Sequence, residues 1–396
     1  MTIDPQHGPL SSRDRLYLDN AATSWPKPDS VYDAVDHFQR TLGAAAGRGA
    51  YRHGQEADRL VTTARQRVAQ LLHVPDARYV ALAFNGTDAL NMGILGSVRP
   101  GDHVVTTDVE HNSVLRPLRF LEQTRSVSLT HLPCDRDGVV DPSRLRDALR
   151  PNTRLVIASH VSNVSGAIQP IDDLGAICRE HAVWFLVDAA QSLGHVPIDL
   201  EQSPVDLLAS SGHKGLMGPL GTGVLYAAPH IWDALTPLRF GGTGTQSGRD
   251  SQPAEPPEKL ESGNLNMPGI AGLAAGCRFV QERGVDNLRR HLQDLTTHVL
   301  AGLERISTIR CWGPREPHRR CGVVSLTVSG YDPAEVAAIL DSSFGIQVRA
   351  GLHCAPRMHE SWGTLRTGGT VRISPGPFST MADMDRLLAA LAECTS

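Results

Sequence analysis

VWFLVDAAQS (183–192) and DLLASSGHKG (206–215) decide the fold. Each opens with a short, mostly apolar run that stops abruptly at polar groups, Asp188 in the first and Ser211 with Lys214 in the second. Runs of that length, apolar without alternation, predict strands buried on both faces. Working outward, RYVALAF (78–84), HVVTT (103–107), RLVIAS (154–159) and GVLYA (223–227) repeat the pattern. Helical spacing lies between them: Leu60, Val61, Ala64, Val68, Leu71 and Leu72 before the first, a helix from Asp88, another near 172–181. Strands alternating with helices predict a parallel, doubly wound sheet. The Gly-, Ser- and Pro-rich stretch 240–263 predicts a long loop or lid. Beyond it, helical patterns over 269–283 and 286–306, strands at 322–328 and 346–350 and a terminal helix in MADMDRLLAALAE predict a second, smaller α+β domain.

Composition narrows the function. The 396 residues carry 38 basic and 42 acidic side chains, a net charge of −4, which argues against a nucleic-acid binder. Seven cysteines with no C-x-x-C pair argue against a disulfide framework and a zinc ribbon, so no metal site is expected and the compartment is a reducing one. With no apolar leader and no run of about 18 apolar residues, the expectation is a cytoplasmic enzyme with no membrane partner. Only Lys27, Lys214 and Lys259 are lysines, so amine chemistry has three candidates.

In open α/β sheets, ligands lie beyond the carboxyl ends of the strands. There the sequence sets Asn85-Gly86-Thr87-Asp88, Asp108-Val109-Glu110-His111, His160-Val161-Ser162-Asn163, Asp188-Ala189-Ala190-Gln191 and Ser211-Gly212-His213-Lys214. Gly86 and Thr87, opening a helix, suit a phosphate or are a plain capping turn. No dinucleotide or P-loop glycine pattern is present. Lys214 on the ligand side can form a Schiff base with a carbonyl cofactor, and Asp188 can face a pyridine nitrogen. The other reading is a surface lysine and a capping aspartate. His111 stacks on a ring, bonds a substrate or is structural; Asn163 and Gln191 can donate to a phenolic oxygen. In RAGLHCAP, Cys354 sits in a Gly- and Pro-bounded loop beside Arg349 and His353, a setting that suits a nucleophilic thiol. Arg372, on a strand bounded by glycines, holds a carboxylate bidentately or makes a salt bridge.

Together YLDNAAT (17–23), HVSNVSG (160–166), VDAAQS (187–192), SGHKG (211–215) and RAGLHCAP (349–356) resemble the cysteine desulfurases of the class V aminotransferase group, nearest the SUF-type branch with its R-x-G-x-H-C loop. The resemblance implies fold type I of pyridoxal-phosphate enzymes, aspartate aminotransferase-like. A large, mostly parallel domain would span 15–262 and a smaller one carrying the Cys loop 263–396, with 1–14 flexible or packed on the latter. It implies pyridoxal 5′-phosphate bound to Lys214, with Asp188 at the pyridine nitrogen, Gln191 at the phenolic oxygen and His111 stacked on the ring. Gly86, Thr87, Ser211 and His213 would bind the phosphate, joined by Asn264 from the partner subunit of a homodimer. Asn163, Arg349 and Arg372 would hold the substrate, and Cys354 would take its sulfur. Two positions depart from the pattern: Leu352 where a histidine is usual and Asn264 where a threonine is.

The implied reaction converts L-cysteine to alanine and leaves a persulfide on Cys354 for an acceptor protein. Iron–sulfur cluster assembly, a thio-modified nucleoside and a sulfur-containing natural product all stay open as fates of the sulfur. The rival readings are a selenocysteine lyase or a cysteine/cystine C–S lyase on the same cofactor, a pyridoxal-phosphate epimerase or transaminase, and a non-catalytic scaffold for sulfur assembly.

Overall fold

The structure, a computed structural model, describes residues 15–47 and 49–394; the expectation for 1–14 falls outside them. In chain order the strands are β1 (Leu16–Tyr17), β2 (Val80–Ala83), β3 (His103–Thr107), β4 (Ser128–Leu132), β5 (Thr153–Ser159), β6 (Trp184–Asp188), β7 (Leu207–Ser211), β8 (Gly223–Ala227), β9 (Ile309–Trp312), β10 (Val324–Val328), β11 (Ile346–Gln347), β12 (Arg349–Gly351) and β13 (Thr370–Ile373). The central sheet runs β2-β8-β7-β6-β5-β3-β4. Its apolar strands behave as their composition dictates: every residue of β3, β7 and β8 is buried, and Phe185, Leu186 and Val187 of β6 are wholly so.

Neighbours from β4 to β7 pair in parallel, so the expected doubly wound sheet is present. The exception is β8, antiparallel to both β2 and β7. Only a helix-free turn separates it from β7, too little for a parallel crossover, so the chain doubles back. The sequence reading missed β4 because SLTHL is an edge strand, mostly half-exposed and without an apolar run. The single strand read at 346–350 is two: β11 pairs with β1, and β12 joins the antiparallel sheet β12-β13-β10-β9.

Packing does not follow chain order. Leu16 and Leu18 lie in the apolar cluster of the second sheet, with Leu326, Ile346, Ile373 and Leu387. The helix Met267–Arg283 buries Ile270, Leu273 and Cys277 in the cluster of the central sheet. The stretch 240–263 contains no helix or strand, as its composition predicts. It is nonetheless tied down: Lys259 Nζ donates to the carbonyls of Trp232 (2.9 Å) and Asp233 (3.0 Å), and Glu261 accepts from Arg65 (2.7 Å) and from the backbone N–H of Leu82 (2.6 Å). Among the described residues no helix is long and apolar enough to cross a membrane.

The parallel strands end at one edge of the sheet, and the turns leaving that edge must fit closely. Gly194 adopts φ +89°, and a Cβ there would collide with the carbonyl of Gly215, the neighbour of Lys214. Gly194→Ala is therefore expected to cost about 1–3 kcal/mol, read as a lower urea midpoint. Gly248→Ala, with open space around it, should leave that midpoint unchanged.

Candidate active site

The carboxyl ends of β3, β5, β6 and β7 deliver Glu110-His111, Ser159, Asp188 and Ser211-Lys214 to one edge, as strand direction requires. A cavity of about 200 Å³ opens there. Its walls include Gly86, Thr87, His111, Asn163, Asp188, Gln191, Ser211, His213, Lys214, Arg349 and Arg372, all singled out from the sequence. Two candidates lie elsewhere. Cys354 touches the wall residue Arg349 without itself lining the cavity, and Asn264 lines a separate depression with Gly47, Arg65 and Glu261.

Of the three lysines, Lys259 is committed to loop carbonyls, and Lys27 donates to Ser24 Oγ (2.6 Å) and the carbonyl of His213 (2.8 Å). Lys214 Nζ alone makes no hydrogen bond among the described residues. Burial lowers its pKa to about 8, against the opposing pull of Asp188. Burial likewise raises that of Asp188, whose Oδ1 accepts from the N–H of Ala190 at 2.9 Å.

One end of the cavity suits an anion. Asn85 caps the helix Gly86–Ser97 by accepting from Asp88 N–H (2.8 Å), which leaves the first-turn amides pointing outward. Gly86 packs so near Ser211 that a Cβ would lie 2.6 Å from its hydroxyl oxygen. Thr87 Oγ1 is 2.7 Å from Ser113 Oγ, and His213 Nδ1 is buried with no partner among the described residues. Burial holds His213 at about 4, so its ring is neutral at pH 7.

His111 has a defined tautomer. Its Nδ1 accepts from the backbone N–H of Ser113 (3.0 Å), capping the helix Asn112–Arg125, so the ring proton sits on Nε2. Burial, then the charges of Lys214, Arg349 and Arg372, bring it to about 4.

Arg372 is 1% exposed; Nη2 donates to Asp19 (2.7 Å) and Nη1 to the Asn163 carbonyl (3.1 Å), while Nε is buried without a partner. A buried guanidinium with a spare donor on a cavity wall suits a carboxylate. Asn163 and Gln191 are partly committed: Asn163 Nδ2 donates to the carbonyl of His353 (2.6 Å) and Gln191 Nε2 to that of Ala21 (2.9 Å). Each retains one amide hydrogen for a ligand.

The Cys loop is rigid by construction. His353 and Cys354 have φ +50° and +60°, a left-handed pair that side chains disfavour. Fixed partners hold it: Asn163 on the His353 carbonyl, the Asn112 N–H on that of Cys354 (2.7 Å), and His353 Nε2 against Thr370 O and Oγ1, both at 3.0 Å. Arg349 Nη2 lies 3.5 Å from Cys354 Sγ. The departing Leu352 is half-buried at the head of this loop.

Sequence reading missed Glu110, Asp19 and Ser113. Glu110 is wholly buried and accepts from Thr107 Oγ1 (2.6 Å) and Ser159 N–H (2.9 Å), with burial raising it to about 7. Its place beside His111 was legible, its partners on β5 were not.

Residues 16–387 match the family model described as aminotransferase class-V. The chain is similar to a probable cysteine desulfurase of Methanothermobacter thermautotrophicus, 36% identical with 96% of this chain and 95% of the relative covered. It is also similar to one of Pyrococcus abyssi, 35% identical over 96% and 94%. Among solved structures, an apo cysteine desulfurase of Thermococcus onnurineus superposes with a TM-score of 0.90 at 33% identity, over 97% of this chain and 95% of that one. The fold is therefore type I, as expected.

The lowered pKa of Lys214 has a direct readout. In protein free of small ligands, labelling of Lys214 by an amine-reactive reagent, located by mass spectrometry, should rise with pH with its midpoint near pH 8. An ordinary lysine would keep rising towards its usual value near 10.5.

Proposed function

The chain belongs to the aminotransferase class-V family, and from that premise we propose that it is a pyridoxal-phosphate-dependent cysteine desulfurase acting on L-cysteine. The observation that carries the reading is that the spare amine of Lys214, the carboxyl of Asp188 and the buried guanidinium of Arg372 line one cavity, whose Arg349 wall touches the thiol of Cys354. The residues fit the cofactor. Its phosphate suits the Gly86–Thr87 helix terminus with Ser211 and the partnerless Nδ1 of His213, and its ring nitrogen suits Asp188. Bound there, pyridoxal phosphate supplies an electron sink that makes the Cα proton of an attached amino acid acidic.

The chain's own residues do the rest. Lys214 Nζ, poised between charged and neutral near pH 8, would hold the cofactor and would move the proton at Cα. Arg372 Nε orients the substrate carboxylate, with Asp19 keeping the guanidinium plane fixed. His111 offers Nε2–H or its ring face. Cys354 Sγ then bonds to the substrate sulfur as the carbon–sulfur bond breaks, giving alanine and a persulfide; cysteine plus thiol equals alanine plus persulfide, so no outside oxidant is needed. An acceptor protein removes the outer sulfur.

The finer assignments belong to the same reading. The short Cys loop, running only from Gly351 to Pro356, favours the SUF-type branch. A homodimer would bring Asn264 to the phosphate of the partner's site. The division into a large domain over 15–262 and a small one over 263–396 belongs to the family pattern; in packing, Leu16 and Leu18 join the smaller unit's core and the helix Met267–Arg283 the larger unit's, so the cores cross that boundary in both directions.

The deciding experiment is an L-cysteine assay that quantifies alanine and sulfide with thiol reductant, in wild type and Cys354→Ala. Alanine should fall at least a hundredfold in the variant while the yellow cofactor colour persists. Full-rate alanine from Cys354→Ala, or pyruvate as product, would favour a C–S lyase, and a protein that never takes up cofactor would favour the scaffold. Arg372→Met should lower kcat/KM for L-cysteine by about 10²-fold, the loss expected when a buried charge-assisted contact disappears.

A further inference from the structure

The carbonyl oxygen of His213, one bond before Lys214, is the most heavily solicited acceptor in the molecule's functional region. Lys27 Nζ (2.8 Å), the N–H of Ser24 (3.0 Å), Ser24 Oγ (3.1 Å) and Thr23 Oγ1 (3.3 Å) all approach it. Ser24 Oγ also lies 3.0 Å from the carbonyl of Lys214 itself and accepts from Lys27 at 2.6 Å. The peptides on both sides of Lys214 are thus gripped by residues 23–27, from a segment almost two hundred positions away in sequence. The Ser24 N–H and the Thr23 hydroxyl already satisfy that carbonyl, which leaves the single Ser24 hydroxyl proton for the carbonyl of Lys214. A half-buried ammonium with no carboxylate partner is a costly addition, since charge is being withdrawn from water for a neutral acceptor.

Resting on the desulfurase reading above, we propose that Lys27 is a positioning residue for Lys214, fixing through the His213 carbonyl the backbone from which the reactive amine swings. Lys214 Nζ ends a four-carbon stem that makes no hydrogen bond of its own among the described residues, so its placement depends on where its backbone is held. A charged donor holds a carbonyl more firmly than a neutral one, and its reach from the far side of the peptide leaves the cavity clear. The same contact aligns His213, whose ring lines the cavity beside Lys214. A small tilt of this peptide would move the amine by a larger distance at the stem's end, where proton transfer tolerates little error.

The test compares cofactor-loaded wild type with Lys27→Met, Lys27→Gln and Lys27→Arg. Lys27→Met should lower kcat for alanine formation about tenfold with KM within about twofold, because substrate contacts are untouched. The visible circular dichroism of the yellow chromophore on Lys214 should weaken or change sign, reporting a reoriented tether. Lys27→Gln, which keeps a neutral donor, should fall between, and Lys27→Arg should recover most of the rate and the dichroism. Should Lys27→Met fail to fold, the Gln and Arg variants read the same quantities. The proposal is overturned if kcat and dichroism stay within twofold of wild type. It is equally overturned if kcat, KM and the thermal midpoint of the cofactor-free protein worsen together without rescue by arginine, the pattern of a merely structural residue. A wild type that forms no alanine and takes up no colour would instead sink the desulfurase reading, so the two failures are separable.

Discussion

A primary amine kept out of water, with a carboxyl group as its nearest electrostatic counterweight, is the constraint around which this molecule is arranged. Burial pulls the pKa of Lys214 down and pushes that of Asp188 up, so each group is moved towards its neutral form by the same loss of solvent. Their mutual attraction opposes both shifts without abolishing them. The result is an amine that loses its proton near pH 8 beside a carboxyl group raised above its usual range, the pair that the proposed function assigns to the cofactor. That pairing sits at the edge of a sheet whose strands exclude water along their length: every residue of β3, β7 and β8 is buried, and all of β6 but Trp184.

The second sheet contributes anions' partners and the thiol rather than more of the same. β12 brings Arg349 and the Cys354 loop, β13 brings Arg372, and hydrogen bonds from Asn112 and Asn163 hold the thiol-bearing loop against the central sheet. Asn163 therefore serves as a hinge pin between the two layers as well as a wall of the cavity. Cys354 is held in a left-handed backbone conformation instead of trailing on a flexible tether, so its sulfur travels little. On the proposed function, sulfur removal would bring the acceptor to the thiol, not the thiol to the acceptor.

Much of this was readable before any coordinates. Short apolar runs terminating in polar groups gave the strands and the edge at which they end, because buried parallel strands have no other way to look. The eleven cavity residues named from the sequence lie on those strand ends or on motifs with a specific family resemblance. What escaped notice depends on contacts between distant segments. Asp19 has no feature that announces Arg372 as its partner, and Glu110 looks like one more polar residue in a turn until Ser159 closes on it. The break between β11 and β12 was likewise set by which neighbour each strand found, whereas the direction of β8 follows from the short helix-free connector after β7. Asn163 and Gln191 were identified by type, but the carbonyls that take up half their donor capacity could not be.

The segment from Leu16 to Lys27 joins both layers: β1 pairs with β11, Asn20 and Ala21 bond to Ser374, and Lys27 reaches His213. Within the described chain a ribosome would deliver it roughly three hundred residues before β11, β13 and Ser374. Its strand pairing must therefore wait until those residues have been made, since a domain folds on what has already been synthesised. Until then the grip on the backbone of Lys214 has no anchor on the other sheet, and Arg372 and the thiol have not yet arrived. A chain folding as it is made would therefore complete this cavity wall only once β13 and the Cys354 loop had been synthesised.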